Sequence, residues 1–249
     1  MFPGARTAAF ARLLLDLALP PRCAYCHGPV ADPGTLCAAC WSGLDFIVEP
    51  LCSGCGRPFA FEAEAESLCG ACMARRPAYD RARSALIYNG NARDLVHRFK
   101  FRDETGLAPL LAAWAREAGA ALLRDADWVA PVPLHWMRLY RRRYNQSALL
   151  AGRLAARDGT AFAPDMLRRI RRTRPQTELG RRARGRNVAG AFRVAPRWRD
   201  RVRGAHIVIV DDVLTTGATL EACARALRRS GAARVDALTV ARVDSPEQG

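Results

Sequence analysis

Apolar positions along this chain follow two rhythms. Alternating or continuous runs of β-formers predict strands at Ser84–Tyr88, Trp128–Val132, His206–Val210 and Arg234–Val243. Between them, apolar residues three and four apart predict helices over 91–101, 107–122, 145–157 and 218–229, the last stopped by Gly231. Met166–Arg172 reads as an exposed or edge strand, because arginines interrupt it. Strand, helix, strand succession implies an α/β domain with a parallel sheet, right-handed crossovers and flanking helices. Upstream, residues 8–19 predict a short amphipathic helix ended by Pro20 and Pro21. Arg12 and Asp16 break its apolar run, unlike the core of a signal peptide. No run is long enough to span a membrane, so stable membrane insertion is not expected.

The most informative pattern is residues 206–219, His-Ile-Val-Ile-Val-Asp-Asp-Val-Leu-Thr-Thr-Gly-Ala-Thr. A buried aliphatic strand delivers Asp211 and Asp212 to its carboxyl end, where open α/β sheets bind ligands. A hydroxyl-rich turn then opens a helix, presenting free N–H groups to an anion. Carboxylates accept hydrogen bonds from vicinal hydroxyls but repel phosphate. The implied ligand therefore carries a phosphate close to a diol, as ribose 5-phosphate does. The run resembles the signature loop of type I phosphoribosyltransferases. That resemblance implies that Asp211 and Asp212 hold the ribose hydroxyls of phosphoribosyl pyrophosphate (PRPP). Thr215, Thr216, Gly217, Ala218 and Thr219 would wrap its 5-phosphate.

Cysteine spacing adds a second module. Eight of nine cysteines form Cys-x-x-Cys pairs at 23/26, 37/40, 52/55 and 69/72. Each pair reads as a knuckle, and two knuckles complete a tetrahedral four-thiolate zinc site. Sequential grouping is the simplest: Cys23, Cys26, Cys37 and Cys40 for one zinc, Cys52, Cys55, Cys69 and Cys72 for the other. An interleaved cross-brace has the same spacing. Gly28 and Gly56 follow the first and third pairs, where a knuckle turns tightly. A disulfide framework is the rival, but without a secretory signal a reducing, cytoplasmic setting is expected. Few core-sized side chains lie in 23–72, which suits a metal-stapled module. Cys223, in the helix after the loop, reads as a small core residue. The expected organisation is a helix in 1–22, a double zinc ribbon over 23–78 and the α/β domain over 79–245.

Charge is unevenly placed. The net +15 is accounted for by residues 135–203, which hold 20 arginines against four acids. Lys100 is the only lysine. Such a stretch suits pyrophosphate in a pocket, nucleic-acid phosphates over a surface, or a plain solvated face.

Ribbons followed by such a domain resemble the ComF/GntX family over nearly the whole chain. Lys100 in Arg-Phe-Lys-Phe, Pro131 to His135, Tyr144-Asn-Gln146, Thr173 to Leu179 and Arg186-Asn-Val188 through Phe192 match as well. Arg143 departs from the family, which commonly carries glycine there. The resemblance implies that Val132, Pro133 and the Arg138–Arg143 cluster, Arg143 included, bind pyrophosphate. Arg172, Gln176, Arg182 and Arg186 would come from a flexible hood. Asp211, Asp212 and Lys100 are the expected catalytic groups, and His135 is the best-placed acid or base candidate. Expected cofactors are two structural Zn2+ and Mg2+ bound with PRPP. The expected activity is phosphoribosyl transfer to an unspecified acceptor, linked to DNA uptake in natural transformation. A non-catalytic PRPP sensor that binds single-stranded DNA and competence-machinery proteins is the alternative. A zinc-ribbon adaptor with an inert α/β scaffold fits the intact loop least.

Overall fold

The computed structural model describes residues 20–102, 104–134, 144–171 and 186–244. The expected helix in 8–19 lies outside them, as do His135, Arg138–Arg143 and Arg172–Arg182 of the pyrophosphate and hood expectations.

Two short helices, α1 (Ala38–Trp41) and α2 (Gly70–Ala74), each begin after a cysteine, Cys37 and Cys69. Strand β1 (Ala82–Ile87) leads to α3 (Gly90–Phe101). A 3-10 turn at Thr105–Leu107 then leads into α4 (Ala108–Leu123). Next come β2 (Trp128–Pro131), α5 (Gln146–Asp158) and the two-residue β3 (Ala161–Phe162). Beyond them lie β4 (Leu167–Arg169), β5 (Phe192–Val194), α6 (Arg199–Val202), β6 (His206–Leu214), α7 (Ala218–Arg229) and β7 (Arg234–Arg242).

Strands in the order β1-β7-β6-β2-β3 make one five-stranded sheet, and every pair is parallel. Central β6 shows why its sequence is a continuous Ile/Val run: both of its faces are buried. Ile207 and Ile209 pack into the core beneath α7, with Leu220, Cys223 and Leu227. Val208 and Val210 enter the core on the opposite face, with Leu111 of α4 and Leu150 of α5. Helix α4 lies so close to β7 that a Cβ on Gly119 would sit 2.5 Å from a Leu238 methyl. Helix α7 buries Leu220, Cys223, Ala224 and Leu227, a three-four-seven stripe, and ends in Arg228 and Arg229.

The expected Met166–Arg172 strand shortens to β4, which pairs antiparallel with β5 in a separate two-stranded sheet. Arg171 closes the base of this ribbon by donating to the Asn187 and Ala189 carbonyls, 3.0 and 2.9 Å away. Among the described residues, no helix is long and apolar enough to cross a membrane.

Candidate functional site

The parallel sheet brings the carboxyl ends of β2 and β6 together. Strand β6 runs four residues past the expected end and stays paired with β7 as far as Leu214, so both acids lie within the strand. Consecutive strand residues leave on opposite faces, and the two carboxylates have different partners. Asp212 is buried and receives Lys100 Nζ from the last turn of α3, 2.9 Å from Oδ1 and 2.8 Å from Oδ2. Asp211 Oδ1 accepts the Ser147 hydroxyl from α5 at 2.9 Å and the Asp212 amide at 3.0 Å. Burial above all, and then the charge of Asp212, push the Asp211 carboxyl up to about 7; Lys100 and the Ser147 hydroxyl oppose that rise.

Three adjacent side chains hold Lys100 and the end of β2 in register. The Tyr144 hydroxyl donates to the Phe99 carbonyl at 3.2 Å, and Gln146 Nε2 to the Lys100 carbonyl at 3.1 Å. Both satisfy carbonyls that the end of α3 leaves open. Asn145 caps α5 by accepting the Ser147 amide and donates Nδ2 to the Val132 carbonyl at 3.0 Å. The Val132 amide is committed to Val210, and Pro133 has no N–H, so neither supplies a backbone donor to an anion. Ser147 and the positioning work of Tyr144, Asn145 and Gln146 were not assigned from sequence. The polar cluster Tyr-Asn-Gln-Ser at a helix start was the signal available.

After Leu214 the chain turns through Thr215, Thr216 and Gly217. Gly217 has φ 75°, a left-handed conformation that favours glycine, and stands at the N-cap of α7. The Thr216 hydroxyl sits 3.5 Å from the Ala218 amide, and the Glu221 amide closes the first helical bond onto the Gly217 carbonyl. Thr215 is exposed, and Thr216, Ala218 and Thr219 are partly exposed, so the hydroxyls and helix N-terminus are open to a ligand. Arg186 is exposed. Arg143 lies outside the described residues.

The eight paired cysteines gather into two clusters, Cys23/Cys26/Cys37/Cys40 and Cys52/Cys55/Cys69/Cys72, with sulfurs all within 4.8 Å of one another. The grouping is sequential, which removes the cross-brace. Sulfurs of Cys26 and Cys37, and of Cys55 and Cys69, are 3.6 Å apart. A tetrahedron with Zn–S bonds of about 2.3 Å has edges of about 3.8 Å. The donor sets thus fit zinc as they stand.

The two ribbons repeat each other. Cys23 Sγ accepts amides from Tyr25 and Cys37, and Cys52 Sγ from Cys55 and Cys69. Bridges Arg22–Pro29 and Leu51–Pro58 sit at matching places. The tight turn falls at His27 (φ 61°) and Gly56 (φ 68°). Gly28 is not the turn residue expected from the sequence, because the knuckle bends one position earlier.

Each ribbon grips the α/β domain. In the first, the Tyr25 hydroxyl donates to Asp94, and Arg98 donates to the Tyr25 carbonyl at 2.6 Å, both on α3. In the second, Arg75 pairs with Glu221 on α7 through two hydrogen bonds, and the Cys55 carbonyl accepts from Arg242 at the end of β7.

Comparison with known proteins agrees with both modules. Residues 14–73 match the double zinc ribbon domain, and residues 149–248 the phosphoribosyl transferase domain. The chain is 35% identical over 225 residues to DNA utilization protein YhgH of Salmonella typhimurium, covering 88% of this chain and 96% of that one. It is 30% identical over 228 residues to competence protein F of Haemophilus influenzae, covering 89% and 96%. Competence protein ComFC of Bacillus subtilis is 27% identical over 215 residues, covering 83% and 84%.

Proposed function

Because this chain belongs to the ComF/GntX family, we propose that it binds PRPP and transfers the phosphoribosyl group to an acceptor, in service of DNA uptake or utilization. One observation carries the reading: two adjacent carboxylates with separate partners, followed directly by an open, hydroxyl-bearing turn at the start of α7. The turn at Thr215–Thr219 receives the 5-phosphate through hydroxyls and helix N–H groups. Asp211 keeps Oδ2 open to ribose hydroxyls while Ser147 fixes Oδ1. Asp212 orients Lys100, whose ammonium stands beside the diol and supplies positive charge where pyrophosphate departs. Magnesium bound with the pyrophosphate would neutralise the leaving group. Val132 and Pro133 shape the pyrophosphate side by contact, with Arg143 and its neighbours supplying guanidinium groups.

Departure of pyrophosphate leaves positive charge on the sugar, so anchoring both ends and excluding water govern the rate. The relatives named for competence and DNA utilization support the cellular role, and the 20 arginines in the sequence of 135–203 supply the positive charge that binding to nucleic-acid phosphates requires.

Calorimetry with PRPP and Mg2+ on the zinc-loaded protein tests binding, and pyrophosphate release across a panel of bases and amines tests turnover. Binding with release is the expected result. Binding without release favours the sensor that acts with single-stranded DNA, and salt-dependent DNA affinity would then be its mark. No heat with PRPP removes both.

A further inference from the structure

The repeat between the ribbons aligns Cys23 with Cys52, Cys26 with Cys55, His27 with Gly56 and Pro29 with Pro58. Matching backbone bonds fix the alignment between them. The Cys23 amide donates to the Gly28 carbonyl at 2.7 Å, and the Cys52 amide to the Arg57 carbonyl at 2.8 Å. Gly28 and Arg57 therefore hold the same place. The two metal sites nevertheless differ in access. In the first, Cys26 is exposed and Cys37 partly buried, whereas in the second only Cys55 is even partly exposed. Gly28 leaves the Cys26 sulfur bare on one side, since a Cβ there would stand 3.4 Å from Sγ. The second ribbon carries a long side chain at that place, Arg57, drawn to Asp244 at 3.2 Å. Thiolate oxidation follows exposure, so the first site is the vulnerable one.

The same knuckle carries the grip on α3. Tyr25 lies between Cys23 and Cys26, and its amide donates to Cys23 Sγ at 3.4 Å. Its carbonyl accepts from Arg98 at 2.6 Å, and its hydroxyl donates to Asp94 at 3.0 Å. Opening the first metal site therefore unseats the residue that ties the ribbon to α3, the helix that ends in Lys100. The second ribbon is built otherwise. Gly54 stands where Tyr25 does, and the hold on α7 comes from Arg75, outside both of its knuckles.

We propose that Cys26 is an oxidative modification site, through which a peroxide opens the first zinc site and loosens α3. The Cys26 thiolate attacks one peroxide oxygen, the O–O bond breaks and hydroxide leaves, which gives a sulfenic acid. The Cys37 thiolate, its sulfur 3.6 Å away, then attacks that sulfur and expels a second hydroxide. In sum, two thiolates and one hydrogen peroxide give one disulfide and two hydroxides. The sulfurs lose two electrons and the peroxide gains them. Thiolates and not disulfides are the metal ligands, so a set reduced from four to two no longer holds zinc. A thiol reductant reverses the disulfide by exchange and restores the donor set.

The test treats full-length, zinc-loaded protein with hydrogen peroxide in the presence of a chromogenic zinc indicator. One zinc per chain is expected in a fast phase and the other about tenfold or more slowly, because the second cluster is less accessible. Peptide mass spectrometry at the end of the fast phase should find a Cys26–Cys37 disulfide, with Cys52, Cys55, Cys69 and Cys72 still reduced. Amide exchange at that point should quicken along α3 and stay slow at the start of α7. Dithiothreitol followed by zinc should return α3 to its starting exchange. Gly28→Ala places a methyl against Cys26 Sγ and removes no ligand, so it should slow the fast phase severalfold and leave the slow one unchanged. Loss of both zincs in one phase, oxidation that begins at the second cluster, or a fast phase without added exchange in α3 would overturn the proposal. So would a zinc-loaded Gly28→Ala that releases its first zinc at the parent's rate. If that variant fails to load zinc, the parent's own order of release, disulfide and exchange decide the matter.

Discussion

Asp211 occupies a place where burial and the neighbouring carboxylate work against ionisation, so its charge changes near neutrality rather than near 3.8. Between those values the folded chain holds a proton that the unfolded chain has released. Stability of the ligand-free protein therefore falls as pH rises through that window. A diol donates best to the ionised carboxylate, so PRPP affinity should rise over the same range and level off near pH 8. Asp211→Asn should flatten the stability slope seen in thermal melts from pH 5 to 8, and the affinity slope seen by calorimetry. A slope retained in the variant would assign the titration to another group. Lys100 poses a different problem, since its removal leaves Asp212 buried with no cation among the described residues. The Lys100 side chain is itself about a third exposed, so Lys100→Met should cost about 1–2 kcal/mol in urea unfolding, less than a fully buried pair would. PRPP affinity should fall with it.

At the scale of elements, long periodic segments were legible and contacts across the chain were not. Helix α7 has the bounds its spacing predicts, because a strong apolar stripe, a glycine start and an arginine end all agree. Strand β6 was read four residues short: acids and a threonine look like a strand's end, yet pairing with β7 carries the ladder through Leu214. The two-residue β3 and the four-residue α1 carry too few positions for any period to register. Lys100 and Asp212 are 112 residues apart, and only the fold brings them together. The four cysteine knuckles were legible because Cys-x-x-Cys spacing brings two thiolates to one metal, whereas their sequential grouping came from the fold. The Tyr144–Gln146 segment showed in sequence as a family match at the start of a predicted helix, with no contacts assigned to it. In the structure it is the clip joining α3, β2 and α5. Asn145→Ala removes both a helix cap and the bond to Val132, and should cost about 1–2 kcal/mol in denaturant unfolding. Gln146→Ala frees the Lys100 carbonyl and should weaken PRPP binding more than it lowers stability. Equal losses in both measurements would make the glutamine purely structural.

On the scale of the whole molecule, the zinc ribbons act as struts against the two helices that build the site. The first ribbon holds α3 through Tyr25, Asp94 and Arg98, and α3 carries Lys100. The second holds α7 through Arg75 and Glu221, and α7 opens with the phosphate turn. Ribbons this small have little core beyond their thiolates, so metal binding supplies much of their folding energy. Metal analysis should find two zinc ions per chain. Stripping them with a chelator should release both struts at once. Amide hydrogen exchange should then quicken not only in 23–72 but along α3 and at the start of α7, while the buried strands β6 and β7 stay protected. PRPP affinity should drop about tenfold or more, and should return when zinc is restored. Exchange confined to the ribbons, with affinity unchanged, would make them appendages whose contacts with α3 and α7 carry no coupling.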